Sequence, residues 1–265
     1  MSKPELSIIV PVLDQPDKTV HCFQSIRNNT TIPFEIIWID NWSRPENREI
    51  IRRQATIPGT NCRLIKNTDN LGFIKATNQG IEAAQGKYIV FLNNDTEVHP
   101  EWDTMLVKPL VQNKRVGVVG PLTQSMIAWQ QAYYINDRWG MAVPYYKDNQ
   151  QKIDYAKQLK QKYQDKYLQI DDLTLAFFCA VFRKEVIDEI GPLCEEMSIG
   201  LGDDDDYCAR LRDSGYKLFL SLGTFVYHAH RTTFTALNLG IDSLRLHNIR
   251  ILQKKRKERA KNSKT

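Results

Sequence analysis

The chain has 265 residues, 42% of them apolar, and a net charge of +5 from 36 basic and 31 acidic side chains. That is enough to bury one large core or two small ones, and too balanced to mark a disordered polyelectrolyte. No apolar run approaches the ~18 to 20 residues that span a bilayer, and no signal-peptide pattern precedes the first strand, so a soluble cytoplasmic protein is expected. Cys22, Cys62, Cys179, Cys194 and Cys208 are scattered without metal-ligand spacing or a disulfide framework, which predicts reduced thiols.

In chain order, residues 6–12 read as a strand, 18–28 as a helix, and 34–40 as a second strand ending in the Asp40 carboxylate. A helix over 46–54, a short strand over 62–65, a helix over 74–84 and a strand over 88–92 follow. Strict alternation of this kind predicts βαβ units, hence an α/β domain with a mainly parallel central sheet and helices on both faces. Residues 153–167 read as a polar helix, and 203–213 open another.

Ligands bind in such sheets beyond the carboxyl ends of the strands. Three strand ends carry polar groups there: Asp14 with Gln15, Asp40 with Asn41, and Asn93-Asn94-Asp95. Asp95 suits a hard divalent cation, which takes oxygen ligands and commonly bridges protein to substrate phosphates. No G-x-G-x-x-G follows the first strand and no G-x-x-x-x-G-K-[ST] occurs, so dinucleotide dehydrogenases and P-loop NTPases are disfavoured. A second acidic group, Asp203-Asp204-Asp205-Asp206, follows Gly200-Leu201-Gly202 and begins a helix. Four adjacent carboxylates repel one another. Relief can come from the helix N-terminus, from a cation, or from raised proton affinity that turns one of them into a general base.

Together the motifs Ser7-Ile8-Ile9-Val10-Pro11-Val12, Ile39-Asp40-Asn41-Trp42-Ser43, Asn70-Leu71-Gly72-Phe73 with Asn78-Gln79-Gly80, and Phe91 to Asp95 resemble the family 2 type of nucleotide-sugar-dependent glycosyltransferases. Phe182-Arg183-Lys184-Glu185 with Gly191, Gly202 to Asp206 with Arg210 and Gly215-Tyr216, and Val226-Tyr227-His228 continue the likeness in the family's order, over about residues 5 to 235. The resemblance implies a single Rossmann-like nucleotide-binding domain of glycosyltransferase A type and an inverting transfer from a UDP- or dTDP-sugar to an acceptor hydroxyl. In that scheme Asp40 accepts a hydrogen bond from the ring imide of the base. Pro11, Val12 and Asp14 shape the base and ribose pocket. Asn70, Gly72, Asn78, Asn93 and Asn94 line the pyrophosphate and donor-sugar side. Asp95, with His228 or its neighbour His230, holds Mn²⁺ or Mg²⁺.

Asp204 falls at the family's catalytic carboxylate, with Asp203 where Glu is usual. Asn93 and Asn94 stand where the family more often has aspartates, and Trp42 stands where a small residue is commoner, placed to narrow the nucleotide pocket or stack in it. The expected layout is a transferase domain over 1–240, with a nucleotide-sugar half (1–120) and an acceptor half (121–240), then a basic tail over 241–265. Trp129, Tyr133, Tyr134, Trp139, Tyr145, Tyr146, Tyr155, Tyr163 and Tyr167, among many Gln and Lys, divide between core packing and acceptor selection. The tail reads as a solvated, frayed helix end, or as a contact for an anionic membrane surface or nucleic acid. A glycan or lipid-linked sugar is the favoured acceptor, with a hydroxylated base in DNA as the alternative. A catalytically silent nucleotide-sugar or carbohydrate binding module and a nucleic-acid-binding protein are the readings from other classes.

Overall fold

The computed structural model describes residues 3–124, 148–197, 200–229 and 241–262. Trp129, Tyr133, Tyr134, Trp139, Tyr145, Tyr146 and His230 lie outside the described residues. Strand β1 (Leu6–Val12), helix α1 (Pro16–Asn29), β2 (Phe34–Asp40), α2 (Pro45–Ala55), β3 (Cys62–Lys66), α3 (Gly72–Ala83) and β4 (Tyr88–Leu92) alternate as the sequence predicts. Helices α1 and α2 begin slightly before the periodicity does because Pro16 and Pro45 take first-turn positions, where a missing N–H costs nothing. There follow β5 (Thr96–Val98), α4 (Trp102–Gln112), β6 (Val116–Leu122), α5 (Asn149–Tyr163), β7 (Tyr167–Ile170), β8 (Cys179–Arg183), α6 (Lys184–Ile190), α7 (Asp203–Asp213), β9 (Lys217–His228) and α8 (Ile241–Asn262).

The sheet runs β3-β2-β1-β4-β8-β6-β9-β5, with β7 pairing β9. Strands β3, β2, β1 and β4 are mutually parallel, β8 lies antiparallel between β4 and β6, and β6 pairs β9 in parallel. Period-2 alternation divides the apolar side chains between two layers. Ile9, Ile37, Ile39, Ile89 and Phe91 pack with Ile74 and Ile81 of α3 and with Tyr207 and Leu211 of α7. Leu6, Ile8, Val10, Ile36, Trp38 and Val90 pack on the other face with Phe23 and Ile26 of α1, Ile51 of α2 and Leu106 of α4. Helix α3 lies so close to β1 that a Cβ on Gly80 would stand 2.3 Å from Ile9 Cγ2.

Two expectations are corrected. The helix placed over 153–167 runs from Asn149 to Tyr163, because Asp148 caps it by accepting from Gln151 N at 2.8 Å. Asp165 then turns the chain at φ 60°, and Tyr167 starts β7, its hydroxyl donating to Met105 O at 2.9 Å. The C-terminal segment is a solvated helix end only in part: it forms α8, which exposes Gln253, Lys254, Arg256, Lys257 and Glu258 but pairs Lys255 and Arg259 with Glu196, Asp206 and Asp213. No helix among the described residues is long and apolar enough to cross a membrane.

Candidate active site

The strand order reverses at β1, which has β2 on one side and β4 on the other. Pairing of β1 with β2 continues to Val12↔Asp40, whereas the β1–β4 register ends at Ile9↔Phe91, two residues before Pro11, which has no N–H to give a neighbour. This is a topological switch point, where sheets of this kind bind ligands, and the three strands, mutually parallel, end on one edge.

Asp40 is 1% exposed at that edge. Its Oδ1 accepts from Ser43 N at 2.9 Å. Its Oδ2 lies 3.4 Å from Arg48 Nε, an ion-pair distance without hydrogen-bond alignment, so this buried oxygen has an acceptor position to spare. Asp14 ties the β1 loop to the β2 loop: its N–H donates to Ser43 Oγ at 3.0 Å, and its Oδ1 accepts from Arg44 N at 2.9 Å and Asn47 Nδ2 at 2.7 Å. Burial pushes the Asp14 carboxyl up, but hydrogen bonds from Asn47 and Arg44 and the Arg44 charge outweigh it and hold the group below the usual aspartate range.

Asn41 organises the third loop. Its Oδ1 accepts from Leu71 N and Asn67 Nδ2, both at 3.0 Å, and its Nδ2 donates to Asn70 Oδ1 at 2.9 Å and Gly72 O at 3.2 Å. Asn70 and Gly72 are thereby fixed beside Asp40, at the start of α3. Asn78, one and a half turns on, faces elsewhere: it receives Leu193 N and donates to Leu193 O, each at 3.0 Å, and reaches Glu195 Oε1 at 3.0 Å. A Cβ on Gly200 would lie 3.8 Å from both Phe73 Cβ and Asp203 Oδ1. Helix α3 thus joins the loops at the ends of β1 and β2 to the acidic turn.

At the end of β4, the side chains of the triplet diverge. Asn94 is buried and donates to Thr19 Oγ1 of α1 at 2.9 Å. Asn93 Nδ2 stands 3.3 Å from His228 Nε2, and Asp95 Oδ1 stands 3.2 Å from the same nitrogen. Antiparallel pairing of β5 with β9, Thr96↔His228, brings the histidine there, and stacking on Phe178 at 5.0 Å holds its ring. Asp95 and His228, far apart in sequence, are therefore neighbours. Their 3.2 Å separation is close to the ~3 Å between adjacent donors on one ion with bonds of ~2.1 Å, so the pair fits a divalent cation whose other ligands come from substrate and water. No group of three or more His, Cys, Asp or Glu side chains among the described residues forms a cation site by itself.

The four aspartates of α7 have separate fates. Asp206 is clamped between Arg210 Nε at 3.0 Å and Arg259 Nη1 at 2.8 Å, and Asp205 accepts from the Thr174 hydroxyl. Among the described residues no cation pairs with Asp203 or Asp204. Burial, with the charges of Asp205 and Asp206, raises the Asp203 pKa. Burial, with Asp203 and Asp205, raises that of Asp204 well above the ordinary aspartate value. Asp204 Oδ1 accepts from Asp205 N at 2.9 Å in the first helical turn. A carboxylate of raised proton affinity at a helix start has the chemistry of a general base.

Arg48, Asn248 and the role of Arg259 did not stand out in the sequence, and Asn41 and Ser43 stood out only as part of the Asp40 motif. Arg48 carries one signal, its place on the first amphipathic helix after the Asp40 strand end; the partners of the others become visible only with the loops in place.

A doubly wound sheet with a polar switch-point edge, an acid–histidine pair and a buried acidic helix start places this fold among the glycosyltransferases of A type. The chain belongs to glycosyl transferase family 2, whose family model it matches over residues 7–191. The match ends before the acidic turn. Among curated relatives, the uncharacterized glycosyltransferase YibD of Escherichia coli (strain K12) is 34% identical over 108 residues, covering 40% of this chain and 30% of that one. A PGL/p-HBAD biosynthesis glycosyltransferase of Mycobacterium bovis is 31% identical over 105 residues, 40% of each. The matched segment thus spans well under half the length of these relatives. Among solved structures, a mannosyltransferase from Pyrobaculum calidifontis in complex with GDP-Man and Mn²⁺ shares the fold at TM-score 0.64 and 17% identity, over 88% of this chain and 59% of that one. GalNAc-T7 with UDP, GalNAc and Mn²⁺ does so at TM-score 0.64 and 17% identity, over 86% and 44%.

Proposed function

We propose that the chain is an inverting glycosyltransferase that moves a sugar from a UDP- or dTDP-sugar to a hydroxyl of a glycan or lipid-linked sugar. The observation that carries this reading is the pair Asp203–Asp204 at the start of α7, Asp203 buried and Asp204 half-buried, with no cation beside either among the described residues and with raised proton affinity, while Asp206 next to them is clamped by two arginines. Residues 1–240 form the transferase domain, its nucleotide-sugar half over about 1–120 and its acceptor half over 121–240, and 241–265 form a basic appendage.

The spare acceptor on Asp40 Oδ2 takes the ring N–H of a uracil or thymine, and a cytosine ring, which has no such N–H, is rejected. Pro11, Val12 and Asp14 bound the base and ribose side, and Trp42, 55% exposed one residue from the Asp40–Asn41 pair, offers its ring to the base. Asn70, Gly72 and Asn93 line the diphosphate side. Asn78 and Asn94 support that side from beneath, through Leu193 and Thr19. Asp95 and His228 are the residues that would hold Mn²⁺ or Mg²⁺, which when bound supplies charge neutralisation for the departing diphosphate. Both solved structures above contain Mn²⁺ beside a nucleotide or nucleotide sugar, which supports this assignment.

Asp204 takes the proton of the acceptor hydroxyl as that oxygen forms its bond to the anomeric carbon. The bond from that carbon to the phosphate oxygen breaks, and its electron pair leaves with the nucleoside diphosphate. Attack from the opposite face inverts the configuration. The Asp204→Asn variant is expected to lose ~10² to 10⁴-fold in turnover while keeping donor affinity, read by product formation and by calorimetric titration with UDP and dTDP compounds. A variant that transfers sugar at the normal rate would overturn the assignment of the base.

A further inference from the structure

The turn before α7 is strained. Gly200, Leu201 and Gly202 take φ values of 126°, 73° and 103°, three left-handed residues in succession, one with a branched side chain. Leu201 cannot adopt this backbone for nothing, and two of the turn's carbonyls point away from any helix or strand ladder. What holds them lies about 48 residues later in the chain. Asn248 of α8, 1% exposed, donates through Nδ2 to Gly200 O at 2.6 Å and to Leu201 O at 2.9 Å. A Cβ on Gly202 would stand 3.1 Å from Leu252 Cδ1, so α8 packs directly on the turn's backbone. Gly202 O in turn accepts Asp206 N at 3.0 Å, the first hydrogen bond of α7. One helical face thus grips the turn and the helix it starts: Lys255 meets Glu196 at 3.0 Å on the approach, and Arg259 meets Asp206 at 2.8 Å and Asp213 at 3.1 Å along α7.

We propose that α8 is a clasp on the acidic turn, and that Asn248 is the positioning residue that holds Gly200–Gly202 so that Asp203 and Asp204 stand at the reacting centre. The inference rests on the transferase reading for its consequence, and on the contacts above for its existence. A polar amide buried inside a helix weakens the helix it occupies, so its place is explained by the two carbonyls it satisfies. Arg259 is, on this account, a counter-charge for α7, placed where the acidic run leaves Asp206 fully buried.

The test is Asn248→Asp, which keeps the shape and replaces the two-proton donor by a carboxylate facing two carbonyl oxygens. The expected result is a fall in kcat of about 10²-fold with the donor KM unchanged, because displacement of a catalytic group by about 1 Å carries that penalty and the nucleotide contacts lie on other elements. Hydrogen exchange separates this from general destabilisation: amides of 202–206 lose protection while those of β1 and β4 keep theirs. Arg259→Gln is expected to move kcat in the same direction by a smaller factor, and Arg259→Lys to restore most of it. It carries the test if Asn248→Asp does not fold, since its ion pairs lie partly in solvent. Wild-type turnover and wild-type protection at 202–206 in both variants would overturn the clasp, as would parallel loss of donor binding and of protection throughout the sheet. If the wild-type protein transfers no sugar, the transferase reading fails, and the exchange measurement still decides whether α8 holds the turn.

Discussion

Trp42 allows backbone strain and ligand recognition to be separated in one residue. It sits at φ 76°, a conformation that bulky side chains avoid, and its ring is 55% exposed. The neighbours are fixed: Asn41 and Ser43 are buried, the Asn41 side chain makes four hydrogen bonds, and Ser43 receives Asp14 N on its hydroxyl and donates its own N–H to Asp40 Oδ1. The loop therefore imposes the conformation on the tryptophan. Two substitutions isolate the strain, because Trp42→Ala and Trp42→Gly delete the same indole and differ only in a Cβ. A left-handed residue with a Cβ costs ~1 to 2 kcal/mol, and glycine loses ~0.5 to 1 kcal/mol through the greater freedom of its unfolded chain. The difference predicts Trp42→Gly to be more stable than Trp42→Ala by ~0.5 to 1 kcal/mol, the reverse of the usual ranking, measured by urea unfolding at equal m-values. If the indole stacks on the base, both variants also lose UDP affinity to the same extent, by ~1 to 3 kcal/mol, read by calorimetric titration. Equal stability of the two variants would refute the strain argument. Unchanged affinity in both would remove Trp42 from the nucleotide pocket.

Asp204, with no cation beside it among the described residues, carries a stability penalty as well as its proposed catalytic role. Its folded-state pKa is raised above the ordinary 3.8, so the folded protein loses stability as pH rises from that value through the raised one, and the penalty is complete above it. Asp204→Asn is expected to raise Tm by about 2 °C or more at pH 8 and to show no gain at pH 3, where wild-type Asp204 is already neutral; a melting curve unaffected by pH would contradict the burial argument. For the same reason kcat/KM should fall with decreasing pH along a limb lying above the ordinary aspartate range, whereas a limb near 3.8 would assign the base elsewhere. Gly80→Ala would drive a Cβ to 2.3 Å from Ile9 Cγ2, in a buried strand that cannot retreat, and a loss of ~1 to 3 kcal/mol in denaturant unfolding is expected.

The first half of the fold was legible because its signals are local. Strands β1, β2 and β4 are apolar runs broken only by Ser7 and Glu35 before their ends, and their boundaries match the sequence expectation residue for residue. The expectation that Asp14, Asp40 and Asp95 lie on one edge came from parallel strand order alone; β1, β2 and β4 are parallel neighbours, and Asp14 and Asp40 are linked through Ser43. What escaped the sequence is non-local. Nothing in the spacing of Asn78 says that it fastens Leu193, 115 residues away. The acidic run showed that charge had to be compensated; it did not show that Arg210 and Arg259 would both go to Asp206, with no cation among the described residues left for Asp203 or Asp204. The basic tail misled for a related reason: charge density looks alike in a solvated helix and in one whose cations have buried acids opposite them. The end of α5 was misplaced because a polar helix has a weak period and its stop depends on a single left-handed residue, Asp165.

Strain and charge fall in the same two places, and helix α3 lies between them. One left-handed bulky residue, Trp42, flanks the buried acceptor of Asp40, and another, Leu201, precedes the unpaired acids of α7. Neither loop is in a conformation that a free segment would choose, so each needs partners that over-determine it. At the first the partners are Asn41, Ser43 and Asp14, all from the strand ends. At the second they come from α8, and from α3 through Phe73 beside Gly200. The stretch from Asn70 through the first turns of α3 to Asn78 bonds to the Asn41 loop at one end and to the 193–195 segment at the other. Gly80, with no space for a methyl group against Ile9, lets α3 lie close on β1. On the proposed reading α3 is therefore the element through which the Asp40 edge and the Asp203–Asp204 turn keep their spacing.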